Sequence, residues 1–148
     1  METGRRLDYW VGAICEAFLE MDCSSNQASL FEGRLTSVAV DVLSFNQVIA
    51  CTQDVYRTSA GIARSEQHPF YLIAQRDSAW HVRQQGHLAH LRPGDAVLVD
   101  SAQCYALHFP ESVAVMSIQL PSPTFAQNMD EWLVFSRQSW LCRASSNR

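Results

Sequence analysis

The 148-residue chain contains no lysine. Its 11 basic residues are all arginine, and 15 acidic residues bring the net charge to −4. Without lysine there is no Schiff-base catalysis and no P-loop phosphate grip. DNA affinity comes mostly from phosphate neutralisation by Lys and Arg, so an acidic chain with no basic block is expected to bind nucleic acid poorly by itself. Cys-x-x-Cys is also missing. The five cysteines, Cys15, Cys23, Cys51, Cys104 and Cys142, are odd in number and scattered. That pattern argues against a zinc knuckle or a disulfide framework and for free thiols in a reduced, cytoplasmic compartment. No apolar run approaches the ~18 residues of a membrane span. Residues 1–10 carry charges and lack the apolar centre of a signal peptide. Internal repeats and low-complexity stretches are absent too.

What the chain does have is enough apolar material, 47% of its residues, for one core and too little length for two. Leu7, Trp10, Val11, Ile14, Phe18 and Met21 recur at spacings of three and four. This predicts one amphipathic helix over about residues 6–22, ended by Cys23-Ser24-Ser25-Asn26. From Leu30 onward the pattern changes to short β-prone runs. They are Val38–Leu43, Val48–Thr52, Val55–Thr58, Phe70–Gln75, Trp80–Gln84, Ala96–Val99, Tyr105–Phe109 and Val113–Leu120. Pro121 and Pro123 stop the last run. Such evenly spaced short strands point to a barrel or sandwich and not to a βαβ fold. Beyond them, Phe125, Met129, Trp132, Leu133, Phe135 and Trp140 suit a second amphipathic helix capped by Ser122 or Thr124. Arg143 to Arg148 are expected to be disordered. The division is then residues 1–121 as a barrel with an entry helix, and residues 122–148 as a helical segment and tail.

The richest stretch runs from Gln84 to Pro110. Gly86 breaks the chain after Trp80–Gln84. Pro93-Gly94-Asp95 is a strong turn signal, since Pro presets φ and Gly accepts φ > 0. Strand, Leu-x-Pro-Gly-Asp turn, strand, break, strand is the order in which a cupin-type jelly roll folds. Several pieces occur in a matching order along the chain. They are Trp10 in an entry helix, Phe31-x-Gly33-x-Leu35, Val55-x-Arg57-Thr58 and Tyr71-Leu72. Val82-x-Gln84-x-Gly86 and Leu91-x-Pro93-Gly94-Asp95-x-x-Leu98-x-Asp100 come next, then Tyr105-x-Leu107-x-Phe109-Pro110 and Leu120-Pro121. Over about residues 6–121 this set resembles the N-terminal effector-sensing domain of AraC/XylS-type transcription regulators. His87, Cys104 and Ser122 depart from that family's usual Arg, Pro and Arg. No helix-turn-helix pair is legible after Pro121, so any DNA contact is expected to need a domain absent from this chain.

The resemblance implies a mainly β, cupin-like jelly-roll barrel with an N-terminal helix and a C-terminal helical segment. It also implies a small organic effector, aromatic or carboxylate-bearing, and pairing into a homodimer through helices after the barrel. From the residues, Tyr56, Phe70, Tyr71, Trp80 and Tyr105 are candidate pocket walls, foremost Tyr71, Trp80 and Tyr105, and Arg57 and His81 are candidate polar anchors. Core packing competes with the wall role for each aromatic. For Arg57 an ion pair with Asp54 or Glu66 at the barrel rim competes with ligand binding. Which of Trp80 and His81 faces inward depends on strand register, because neighbours on a strand point oppositely. No catalytic residue, cofactor or metal is expected. Gly-x-Ser-x-Gly and His-x-His are both missing, His87 and His90 fall on opposite strand faces, and His81 and His87 are parted by the Gly86 turn. Two further readings stay open: a metal-dependent cupin enzyme with an unfamiliar ligand set, and a ligand-free dimerisation module.

Overall fold

The computed structural model describes residues 5–121 and 141–143. Among these residues two α-helices, α1 (Arg5–Ala17) and α2 (Ser59–Arg64), accompany eleven strands. The strands are β1 (Asp22–Ser24), β2 (Gly33–Val40), β3 (Leu43–Ala50), β4 (Gln53–Arg57), β5 (Phe70–Gln75) and β6 (Trp80–Gln84). The rest are β7 (His87–Leu91), β8 (Asp95–Asp100), β9 (Tyr105–Phe109), β10 (Val113–Leu120) and β11 (Leu141–Arg143). They form a five-stranded sheet in the order β1-β4-β9-β6-β7 and a six-stranded sheet in the order β11-β8-β5-β10-β3-β2. Every pairing is antiparallel. Side chains alternate along a strand, so each sheet turns one face inward. Gln53, Val55 and Arg57 on β4, Trp80, Val82 and Gln84 on β6, and Tyr105, Leu107 and Phe109 on β9 are all buried, and their neighbours are not. From the larger sheet, Tyr71 and Ile73 on β5 and Val113 and Val115 on β10 meet them in one core.

The turns follow local chemistry. The β6–β7 hairpin turns on Gln85 and Gly86, both left-handed at φ 52° and 75°, as a two-residue primed turn requires. Pro93 and Gly94 take the middle of the next turn. Gly94 sits at φ 88°, and Asp95 N donates to Arg92 O at 3.0 Å, as in a type II turn.

Four sequence expectations shift. The apolar run Val38–Leu43 is not one strand. It reads through a tight hairpin in which Asp41 takes φ 55°, a conformation Asp tolerates better than most side chains. The entry helix stops at Ala17, although Phe18 and Met21 still pack inward from the segment that follows. Helix α2 was unforeseen, although Thr58 is its N-cap and its hydroxyl accepts from Gly61 N at 3.1 Å. Arg143, expected in a disordered end, pairs with Asp95 as part of β11 and covers an edge of β8 that would otherwise lack a backbone partner. The helix expected over Phe125, Met129, Trp132, Leu133, Phe135 and Trp140 lies outside the described residues. No helix among the described residues is long and apolar enough to cross a membrane.

Helix α1 is fixed by Trp10. Its indole N–H donates to Gln53 Oε1 at 3.0 Å, its ring meets Phe31 at 5.5 Å, and its edge lies on Gly33. A β-carbon at Gly33 would sit 2.5 Å from Trp10 Cζ3. Gly33→Ala is therefore expected to displace Trp10 and lower stability by about 1–3 kcal/mol, as overpacking does. Denaturant unfolding measures this, and an unchanged midpoint would show that the helix does not depend on this contact.

Candidate functional site

The inward faces of the two sheets leave a cavity of about 60 Å³ beneath α1. Ile14, Phe18 and Met21 close it from the helix side. Val48, Val55, Ile73, Leu107, Phe109, Val113 and Val115 form its apolar wall. Four polar side chains interrupt that wall: Gln53, Tyr71, Tyr105 and Ser117. Tyr71 Oη donates to Gln119 Oε1 at 3.2 Å. Tyr105 Oη donates to the Met21 thioether at 3.3 Å, a weak acceptor. Burial raises both phenols above the ordinary tyrosine value, and the Arg57 charge opposes that rise in each. Both are therefore neutral throughout the physiological range and act as dipoles, not as acids. Gln53 has its oxygen committed to Trp10. Indole can only donate, so the amide NH₂ of Gln53 is the end left for other partners.

Tyr71 and Tyr105 are thus the two expected wall residues that line the cavity. Trp80 is buried but packs elsewhere, stacked on Phe109 at 5.1 Å and 14°. Its indole nitrogen has no hydrogen-bond partner among the described residues. Register places Trp80 inward and its neighbour His81 outward, so His81 does not line the cavity. Gln53 and Ser117 escaped sequence reasoning because short amides and hydroxyls on strands carry no periodic signal. Only the facing of β4 and β10 brings them together.

Arg57 is 1% exposed and does not line the cavity. Its guanidinium is spent on the protein itself. Nε donates to Ser101 O at 3.0 Å. Nη1 donates to Glu20 O at 2.8 Å and to Ser65 Oγ at 3.0 Å. Nη2 donates to His68 Nδ1 at 3.3 Å. Among the described residues no ion pair joins Arg57 to Asp54 or Glu66, and Asp54 instead bonds His108 on the opposite face of the sheet. One flat fork thus holds three loops, and that suits arginine because its donors diverge in a fixed plane.

The cavity wall contains no His, Cys, Asp or Glu. Among the described residues no three such side chains could hold a metal ion together. The wall therefore does not fit the ligand set of a metal-dependent cupin enzyme. Four cysteines, Cys15, Cys23, Cys51 and Cys104, are free. Burial, with Cys15 and Asp22 nearby, pushes the Cys23 thiol up to about 12, so it is a packing group and not a nucleophile.

The pattern shared by AraC-binding-like domains matches residues 10–145, and the chain belongs to this family. A curated relative from Bacillus sp. (strain OxB-1), described as an uncharacterized protein in the nit 5' region, is 31% identical over 121 residues. That match covers 82% of this chain and 47% of the relative. The AraC-like transcriptional activator CuxR superposes with a TM-score of 0.71 at 13% identity, over 83% of this chain and 45% of CuxR. A cupin superfamily protein from Desulfitobacterium hafniense DCB-2 matches at a TM-score of 0.49 and 13% identity, over 62% of this chain and 79% of that protein. The chain thus spans about half the length of the first two proteins.

Arg57→Ala strands the Ser101 and Glu20 carbonyls and opens the three-loop junction. It is expected to lower stability by about 2–4 kcal/mol. Arg57→Lys should recover little, because one ammonium cannot span the same acceptors. Chemical denaturation of both variants measures this. Wild-type stability in Arg57→Ala would return Arg57 to the ligand-binding candidates.

Proposed function

We propose that this chain is the effector-sensing and dimerising part of an AraC-type transcription regulator, built as a cupin-like barrel. The observation that carries the reading is the apolar cavity under α1 with two neutral phenols in its wall. DNA binding would then belong to a helix-turn-helix domain outside this chain. Tyr71 and Tyr105 are the anchors we assign, with Gln53 and Ser117 beside them. Arg57 and Trp80 would support the wall from behind, and His81 has no part in it.

The wall also indicates the class of effector. It carries no charged side chain, so a carboxylate buried there would lose its hydration without a counter-ion, at a cost of several kcal/mol. A neutral molecule is favoured over the acid that the family resemblance suggests. A volume of about 60 Å³ holds roughly four to six waters, so the molecule is small. The Gln53 amide NH₂, and the Tyr105 hydroxyl once it exchanges its weak bond to the Met21 thioether, can donate to an acceptor such as a carbonyl, ether or hydroxyl oxygen or a nitrile nitrogen, while the Tyr71 oxygen, whose proton is on Gln119, can accept.

A thermal-shift screen of short aliphatic and aromatic aldehydes, ketones, alcohols and nitriles, beside the matching acids and amines, tests this. A neutral ligand at about a hundred times its Kd should raise Tm by ~5–10 °C. Tyr105→Phe should weaken binding about fivefold, the worth of one hydrogen bond, and Val115→Phe should fill the cavity and abolish it. Stabilisation by the acids alone would overturn the neutral-effector reading. No stabilisation by any compound would favour a ligand-free dimerisation module.

Pairing is the second part of the proposal. The sequence after Pro121 carries Trp132, Leu133, Phe135 and Trp140, and a helix presenting them would pair two copies, with closed two-fold pairing the usual outcome for an apolar surface. Sedimentation at tens of micromolar should give a dimer, and Leu133→Glu with Trp132→Glu should give a monomer. A wild-type monomer would overturn this part.

A further inference from the structure

We propose that the outer face of the five-stranded sheet binds a divalent transition-metal ion between His81 and His108, with Asp54 orienting His108. The site does not depend on the cavity reading, since it lies on the other side of the sheet.

Four polar side chains stand in one row across four adjacent strands. Asp54 on β4 is directly opposite His108 on β9. His108 is directly opposite His81 on β6, and His81 is opposite His90 on β7. The His81 and His108 ring centres are 4.4 Å apart, tilted by 35°, and those of His81 and His90 are 5.4 Å apart. Two imidazoles sharing one ion hold their nitrogens ~2.0–2.1 Å from it, which places ring centres about 4.5–5.5 Å apart. The His81 and His108 centres fall just short of that range and those of His81 and His90 lie within it, so a small outward rotation of His81 or His108 brings that pair to bridging distance.

Asp54 supplies the second observation. Its Oδ1 is hydrogen-bonded to His108 Nδ1. A neutral imidazole with Nδ1–H on a carboxylate carries its lone pair on Nε2, the arrangement found behind many metal-bound histidines. The His108 and Asp54 side chains are 43% and 33% exposed, so an ion can reach them from solvent. Metal binding also needs neutral imidazoles. Burial, then the neighbouring His108 and His90, depress the affinity of His81 for a proton, with Arg83 adding to them and Asp54 opposing. Because no three described donors converge, the protein supplies two ligands and water completes the shell. Two imidazoles with water suit Zn²⁺, Ni²⁺ or Cu²⁺ and not Ca²⁺ or Mg²⁺.

Titration of Ni²⁺ and Mg²⁺ into the full chain at pH 7.5, read by calorimetry and by imidazole nitrogen NMR, tests the site. Ni²⁺ should bind and perturb the His81 and His108 signals first, and Mg²⁺ should not bind. His81→Gln and His108→Gln should each weaken Ni²⁺ at least tenfold, and Asp54→Asn by about tenfold, the usual effect of losing an orienting carboxylate. His87→Gln, on the other face of β7, and Cys104→Ser, which removes an exposed free thiol, should leave binding unchanged. All these side chains are at least partly exposed, and circular dichroism and Tm check that each variant is folded. Ni²⁺ binding that survives both histidine substitutions, or that disappears in Cys104→Ser, would overturn the site. So would no binding at hundreds of micromolar. Loss in both histidine variants with none in Asp54→Asn would overturn the orienting role of Asp54.

Discussion

The structure depends most on a buried positive charge that has no carboxylate of its own. Arg57 sits at the end of β4 and faces inward. Its donors reach Glu20 in the segment between α1 and β1, Ser65 and His68 after α2, and Ser101 between β8 and β9. None of these segments has a strand to fix it at that point. Each gains its place from one hydrogen bond to the same rigid plane. Carbonyl dipoles, a hydroxyl and an imidazole nitrogen share the task that one anion would otherwise perform, and such bonds to a charged donor are the stronger kind. Neighbouring contacts close the same region. Ser101 Oγ donates to the Pro69 carbonyl, and Gln84 Nε2 donates to Asp100 O at 2.7 Å. The end of the barrel is thus held by side-chain-to-backbone bonds where the ladders of the sheets run out.

How much of this was legible varied with the distance over which each feature is decided. The runs Phe70–Gln75, Trp80–Gln84, Tyr105–Phe109 and Val113–Leu120 became strands over those same residues. Each carries its own alternation and its own stop signal. The hairpin at Asp41 was misread because Val38, Val40, Val42 and Leu43 are apolar on both sides of the turn, and three of them are exposed: Val38, Val40 and Val42. Hydrophobicity there reports neither strand nor core. Arg57 was singled out as functional from its residue type. Its role emerged only from the carbonyls around it, which come from positions as distant as Glu20 and Ser101. The row Asp54, His108, His81 and His90 is a matter of register between four strands. No spacing within the chain announces it.

The two faces of β9 illustrate how one short strand can hold two chemistries. Tyr105, Leu107 and Phe109 give the inner surface a dry wall. His108, between two of them, belongs to a wet polar row outside. Strand alternation alone separates these environments. Mutations one residue apart on β9 therefore address different questions, and a shift of one residue in pairing would exchange them.

The fastening of α1 has a consequence for time. Ile14, Phe18 and Met21 lie over the cavity, and Trp10 bolts the helix down through Gln53 and Phe31. Undoing that bolt is a local excursion, much smaller than unfolding the barrel. An occupant that must wait for it enters no faster than the helix lifts, however abundant it becomes. If the cavity takes the proposed effector through this opening, the latch would act as a clock, and exposures much shorter than the interval between openings would go largely unregistered.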